Sequence, residues 1–477
     1  MTSAARSAVI LLADTQSYRV EDFVAAARRL DVEAIVGSNR CHVLAELFDE
    51  RFLVLDFERA DEAARTIVEF VRGTIDARGP ADAAAAARVG SAPIAAPLAA
   101  RVRAIVPAGD RMAVVAAMAS EALGLPHNPV AATLAAGNKR LLREALARAG
   151  IRAPAHQIVS IDDAPEAAAL AVDRTAGGVG FPCVLKPLRL SASRGVMRAD
   201  DADSFARAFR RVAALLCLPE IRIARDPENE RILVEEFVPG REVALEGMLT
   251  RGSLRVLALF DKPDPLDGPF FEETIYVTPS RLPERAQRGI VEATETAARA
   301  IGLTTGPVHA ELRVNERGAW VIEVAARSIG GLCSRALRFG VAAAIGATAA
   351  AGAGTASAAT LEELILRHAL GEDVAALARE SRASGVMMIP IPRAGILREV
   401  RGADAAAATP GIVEVAITAK PGETLLPLPE GASYLGFLFA RGDDPIAVEA
   451  ALRAAHGALA FTIAPLVSLR PTAEPAG

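Results

Sequence analysis

A chain of 477 residues with 52% hydrophobic residues is too long for a single core, and domains of about 100 to 200 residues divide it into about three. A net charge of -5 with both signs interspersed leaves no basic stripe and argues against nucleic acid as a partner. No tract reads as membrane-spanning, and the N-terminus reaches a core strand within a few residues, without a signal-peptide layout. The four cysteines, Cys41, Cys183, Cys217 and Cys333, lack CxxC spacing, so neither a structural zinc nor a disulfide framework is indicated, and a cytoplasmic setting is expected.

Coding bias carries a signal of its own. Of 53 basic residues only four are lysine: Lys139, Lys186, Lys262 and Lys420. Where arginine is written almost everywhere else, a retained lysine points to a need for a compact point charge, against the plainer alternative of chance survival.

In chain order, residues 1–128 predict an α/β unit: strand Val9 to Leu12, helix Val20 to Leu30, strand Glu33 to Val36, strand Arg103 to Val106 and helix Asp110 to Leu123. Strands alternating with helices imply a parallel sheet. No GxGxxG follows the first strand, so a dinucleotide site is not expected there. A helix begins at Asn138-Lys139 and runs to Gly150. The apolar strand PCVLKP, Pro182 to Pro187, ends on Lys186. The SASRGV loop, Ser191 to Val196, can bring backbone N–H groups and small hydroxyls against phosphate oxygens; most such loops are plain turns.

The run from Ile232 to Leu249 reads as strand, Pro239-Gly240 hinge, strand. Its acids Glu235, Glu236 and Glu242 are either an acidic edge or the rim of a purine slot, with Glu242 accepting from ribose hydroxyls. In Gly268 to Ser280, Glu273 and Tyr276 lie on an extended segment. From Pro307 to Gly331 the period-two pattern predicts a hairpin, Val308 to Val314 and Ala319 to Val324 around an NERG turn. Glu311 and Glu323 fall on its two strands, and cross-strand neighbours lie about 5 Å apart. They are either two solvated carboxylates or the ligands of a hard divalent cation such as Mg2+, completed by phosphate oxygens. Arg327 and the Gly330-Gly331 pair follow, and an arginine there can clamp a carboxylate or a phosphate. Residues 341–360 read as an Ala/Gly-rich connector. Beyond it come a helix from Leu361 to Leu370 and a small α+β domain to residue 477, with strands Val386 to Pro390, Ile412 to Thr418 and Tyr434 to Arg441, helix Ile446 to His456 and strand Ala460 to Ile463.

Lys139, Lys186, the SASRGV loop, the EEFVPGRE hinge and the HAE…EVAAR pair occur in the order and at about the spacing of the ATP-grasp superfamily. The GILREVRG, PGIVEV and LPEGASYLGFLFARG segments narrow the resemblance to carboxylate-amine ligases of the L-amino-acid ligase, or dipeptide synthetase, group. The resemblance implies a mixed α/β and α+β fold: a preATP-grasp α/β domain at 1–128, an ATP-grasp domain at 129–340 and the small C-terminal α+β domain at 361–477. It implies ATP and Mg2+, with Mn2+ as an alternative ion, and amino acids or other small carboxylates and amines as substrates. A homodimer is an expectation of the resemblance alone.

Carried over residue by residue, Lys139 and Lys186 would contact the α and β phosphates, with Ser193, Gly195 and Glu235 also at the nucleotide. Backbone groups of Glu236 and Val238 would hold adenine, and Glu242 the ribose. Glu311 and Glu323 would bind the metal. Arg327, counted as catalytic with Lys186, would steady the acyl phosphate or substrate carboxylate. Glu273, Tyr276, His309, Gly330 and Gly331 would line the substrate, Glu273 facing its amino group. Two departures stand out: Ala325 where many ATP-grasp enzymes place asparagine, and Tyr276 where the ligases place histidine. Alternatives to the amide ligase are an ATP-grasp enzyme using bicarbonate or a nucleotide-pathway amine, and an ATP-binding module without turnover.

Overall fold

The computed structural model describes residues 6–15, 17–39, 51–74, 97–341 and 358–466. Its first unit is a parallel sheet in the order β3-β2-β1-β4: β1 Ala8–Leu12, β2 Glu33–Ser38, β3 Arg51–Val54 and β4 Val102–Pro107. All five residues of β1 are buried, as expected of a strand covered on both faces. Helix Val20–Arg29 lies between β1 and β2 and helix Ala60–Arg72 between β3 and β4, and helix Asp110–Leu123 follows β4.

The second unit is an antiparallel sheet in the order β5-β8-β6-β7, made of β5 His156–Ser160, β6 Cys183–Pro187, β7 Met197–Ala199 and β8 Arg231–Glu236. Helix Lys139–Arg148 starts where Asn138 accepts from the N–H groups of Arg140 and Leu141, a side-chain cap. It is tied to this sheet by a buried ion triad: Glu235 accepts from Arg143 Nε at 2.6 Å and lies 2.7 Å from Lys186 Nζ.

The third unit is an eight-stranded sheet in the order β13-β12-β9-β10-β11-β16-β20-β18. Its strands are β9 Arg241–Thr250, β10 Ser253–Asp261, β11 Ile275–Thr278, β12 Gly306–Asn315 and β13 Gly318–Ala325, followed by β16 Ala383–Ile389, β18 Ile412–Ile417 and β20 Gly436–Gly442; the short strands β14 Phe339–Val341, β15 Leu377–Arg379, β17 Gly395–Arg401, β19 Thr424–Leu425 and β21 Ala460–Ala464 pair outside it. The boundary expected near residue 361 is therefore no break in the hydrogen bonding: β11 pairs directly with β16, Ile275 opposite Met387. The C-terminal strands extend the central sheet, while the connector expected at 341–360 falls mainly on residues 342–357, outside the described residues. Among the described residues no helix is long and apolar enough to cross a membrane.

Period-two alternation gives the central sheet two unlike faces. Val243, Leu245 and Leu249 of β9 and Val308, Ala310 and Leu312 of β12 join the core under helix Glu284–Ile301. Glu242 and Glu246 of β9 and His309, Glu311 and Arg313 of β12 take the other face.

A buried arginine joins the first unit to the rest. Arg19, 2% exposed, donates to Ser328 Oγ at 2.6 Å, to the Ile329 carbonyl at 2.9 Å and to Glu362 Oε1 at 2.8 Å. Removing one partner of a buried pair strands the other charge, at about 3–5 kcal/mol. Arg19→Met is therefore expected to lower the unfolding free energy read by chemical denaturation by that much, and Arg19→Met with Glu362→Leu to recover most of it; equal losses in both variants would contradict this. The triad sets a pH limit as well. Burial disfavours the Glu235 carboxylate, but Arg143 and Lys186 outweigh it and hold its pKa at about 2, below the ordinary 4.5. Its contribution is complete above pH 4.5 and is lost as pH falls toward 2, roughly 3 kcal/mol in all. Glu235→Gln should flatten the stability curve across that window, as read by chemical denaturation.

Candidate active site

The polar face of the central sheet builds the site. Glu311 on β12 stands opposite Glu323 on β13, as the hairpin pattern predicts, with a bulge between Glu311 and Leu312. Both carboxylates are mostly covered but reach solvent, at 17% and 23% side-chain exposure. On the other side of β12, Arg313 faces Glu242 and His309 faces Glu246.

Lys262, just past β10, is the centre. Its ammonium, in a side chain 3% exposed, lies 2.9 Å from Glu242 Oε1 and 3.0 Å from Glu311 Oε1 and donates to Glu273. One oxygen from each of these three glutamates lies within 4.8 Å of the others, the one such carboxylate group among the described residues. Burial works against the ammonium, but Glu242, Glu273 and Glu311 outweigh it and raise the Lys262 pKa. Burial and the Glu311 charge raise Glu273, against Lys262. Glu311 is held low because Lys262 and His309 overcome its burial. No role was expected of Lys262, although the scarcity of lysine singled it out.

Several expected residues sit differently from their expected roles. Glu242, expected at a ribose, accepts from Lys262 at 2.9 Å and from Arg313 Nε at 3.0 Å, because its strand position faces Arg313. Tyr276 is 2% exposed, with its ring 5.0 Å from the Lys262 ammonium, and forms a wall beneath the charge cluster rather than an open pocket surface. His309 is buried between Glu246, which accepts from Nδ1, and Glu311, whose Oε1 lies 3.5 Å from Nε2. Desolvation opposes its charge, but Glu246 outweighs it and pushes His309 up to about 9.

At the nucleotide side, Lys139 Nζ donates to the Leu190 carbonyl at 2.7 Å and lies 3.8 Å from Glu323. Lys186 pairs with Glu235, whose 1% exposed side chain is also held by Arg143. The N–H of Glu236 is taken by the Ala155 carbonyl and its carboxylate accepts from Ala155 N–H, so an adenine edge would meet only its carbonyl. The Val238 carbonyl accepts from Arg313 Nη1 at 2.9 Å, leaving its N–H as the group to offer. Arg143 Nη2 donates to the Ile322 carbonyl, one residue before Glu323, and so links the Lys186–Glu235 pair to β13.

Two loops frame the site. Ser193 and Gly195 lie in 191–196 with positive φ of 54° and 76°. A Cβ on Gly195 would fall 2.7 Å from Pro187 Cγ. Its N–H, expected at a phosphate, donates instead to the Pro429 carbonyl at 2.8 Å, and Arg194 Nε donates to the Glu430 carbonyl at 2.8 Å. The 427–431 turn of the C-terminal part thus sits on this loop. Arg327 donates to Asp110 Oδ1 at 3.0 Å, so the first unit aims it. Next to it Gly330 borders open space, while Gly331, φ 58°, leaves a Cβ only 3.0 Å from Phe437. Sequence reasoning assigned nothing to Asp110, Arg143, Glu246 or Arg313. Glu246 had one signal, an acid inside a buried apolar run.

The donor set fits a hard divalent cation: it is carboxylate oxygen throughout, with Glu311 and Glu323 opposed in register and the Lys262 ammonium already showing that positive charge is favoured there. Ala325, fully buried, supplies no third ligand on β13.

Residues 179–336 match the ATP-grasp domain, and residues 387–464 match L-amino acid ligase C-terminal domain 2. Over 166 residues the chain is 31% identical to the alanine–anticapsin ligase of Bacillus subtilis (strain 168), covering 32% of this chain and 34% of that protein. Over 158 residues it is 27% identical to the dapdiamide A synthase of Enterobacter agglomerans, covering 33% of this chain and 35% of that protein. The matches span about a third of these curated relatives. The crystal structure of the L-amino acid ligase from Bacillus licheniformis superposes with a TM-score of 0.73 at 23% identity, over 97% of this chain and 100% of that one. The chain thus has the ATP-grasp fold, and it joins an ATP-grasp domain to a C-terminal domain of the L-amino acid ligase type.

Proposed function

We propose that this chain is an ATP-dependent carboxylate–amine ligase that joins two amino acids through an acyl phosphate, releasing ADP and phosphate. The observation that carries the reading is the polar sheet face on which Glu311, Glu323, Lys139 and Lys262 converge beside Arg327. The C-terminal domain match favours amino acids over bicarbonate or a nucleotide-pathway amine, as do the names of relatives that couple alanine or make dapdiamide.

In this reading Glu311 and Glu323 hold Mg2+, which when bound supplies charge neutralisation for the phosphates. Lys139 and Lys186 neutralise the α and β phosphates. A substrate carboxylate oxygen attacks the γ phosphorus, the bond to the bridging β–γ oxygen breaks, and ADP leaves. Lys262 serves this step: the ligand charge competes with its three glutamates for the ammonium, which then stabilises the transferring group. Arg327, aimed by Asp110, steadies the acyl phosphate. The amine nitrogen attacks the acyl carbon, the carbon–oxygen bond to phosphate breaks, and the amine gives up a proton. The 191–196 loop, backed by the 427–431 turn, excludes water from an intermediate that water would hydrolyse.

The test is phosphate release from Mg-ATP across amino acids offered singly and in pairs, with bicarbonate as a separate row. Release that needs a pair, with a condensed mass, is expected; release with bicarbonate alone, or none in any mixture, overturns the reading. On the productive pair, Lys262→Met should lower kcat/KM by about a hundredfold or more, the scale of a lost charge-stabilising donor. Lys420→Met, at an exposed lysine outside the cluster, should leave it unchanged.

A further inference from the structure

Glu246 is fully buried in the middle of β9, where an unpaired carboxylate is strongly disfavoured, and the structure gives it two partners. One oxygen, Oε1, accepts from His309 Nδ1. The other, Oε2, accepts from the backbone N–H of Ile329 at 3.1 Å. Each partner leads to a different part of the site. His309 carries its second ring nitrogen to 3.5 Å from Glu311 Oε1, the carboxylate shared with Lys262. Ile329 lies two residues past Arg327, and its carbonyl is held from the opposite side by Arg19 at 2.9 Å.

We propose that Glu246 is a positioning residue that sets two parts of the centre at once: through His309 it aims the Glu311 carboxylate, and through the Ile329 amide it fixes the loop that presents Arg327. The inference rests on the ligase reading for what the centre does, and on the geometry alone for how it is held. An imidazole with one nitrogen bound by a carboxylate is locked in ring orientation and in which nitrogen carries its proton, so its far nitrogen presents one fixed face to Glu311. A carboxylate can accept at both oxygens. A glutamine offers one acceptor oxygen and one donor NH2, so a Glu246→Gln side chain that still accepts from Ile329 N–H can only donate toward His309 Nδ1, which reverses that bond and moves the imidazole proton off Nδ1.

The experiment compares wild type, Glu246→Gln, His309→Gln and the double variant. In the metal-free proteins, the wild type should show a downfield imidazole N–H proton resonance that both single variants lose, a readout independent of turnover. Mn2+ titrated into the ADP complexes should bind about 10- to 100-fold more weakly in each single variant, the range for residues that orient a metal ligand. On the productive substrate pair, kcat should fall by a similar factor while KM for ATP stays within about threefold. In Mn2+ affinity the double variant should be no worse than the poorer single variant, since both break the one chain to Glu311. Should Glu246→Gln not fold, His309→Gln alone carries the comparison. Absence of turnover in the wild type with the resonance and the Mn2+ effect intact counts against the ligase reading and supports the positioning role. Wild-type Mn2+ affinity in the folded single variants, or Mn2+ losses that add in the double variant, overturns the proposal.

Discussion

A lysine ammonium surrounded by three carboxylates, inside a protein, is the constraint on which the remainder of the site depends. Burying Lys262 or any of Glu242, Glu273 and Glu311 alone would be prohibitive; together they satisfy one another. The arrangement requires β9, β10 and β12 to be neighbours and the 262–273 segment to fold back over them, so a catalytic face and a specific strand order are the same demand.

Beside this centre the first unit and the central sheet are bound to one another at the loop after β13. Arg19 and Asp110 reach it from the parallel sheet, Glu246 from the central sheet, and Glu362 anchors Arg19 from the helix that precedes the C-terminal strands. Arg327 is therefore aimed by Asp110 and carried on a loop that Arg19 and Glu246 hold. On the far side of the cleft, Pro429 and Glu430 hold the Gly195 and Arg194 backbone and side chain. A C-terminal part that merely followed the nucleotide domain would do neither.

The elements built from local pattern were legible. Alternation and the NERG turn located the β12–β13 hairpin and opposed Glu311 to Glu323, because register follows directly from the turn. The helix at Lys139 was announced by its Asn138 cap. What escaped reading is non-local. The pairing of β11 with β16, which merges the expected C-terminal domain into the central sheet, joins strands with no shared pattern. Nothing in the stretch around Glu242 shows Arg313 arriving from β12 and Lys262 from the end of β10 to pair with it. Gly195 looked free to meet a phosphate until Pro429, far along the chain, took its N–H. Lys262 was visible only as one of four lysines in an arginine-writing chain; its three partners come from separate segments.

The central claim is that the carboxylate is activated by taking the γ phosphoryl group on this sheet face. The direct measurement uses the productive carboxylate substrate labelled with 18O in both carboxylate oxygens, with the released phosphate and the condensed product analysed by mass. The account predicts one 18O in each phosphate and the other in the new amide, because the carbon–oxygen bond breaks only after that oxygen has joined phosphorus. Unlabelled phosphate formed alongside product would contradict it.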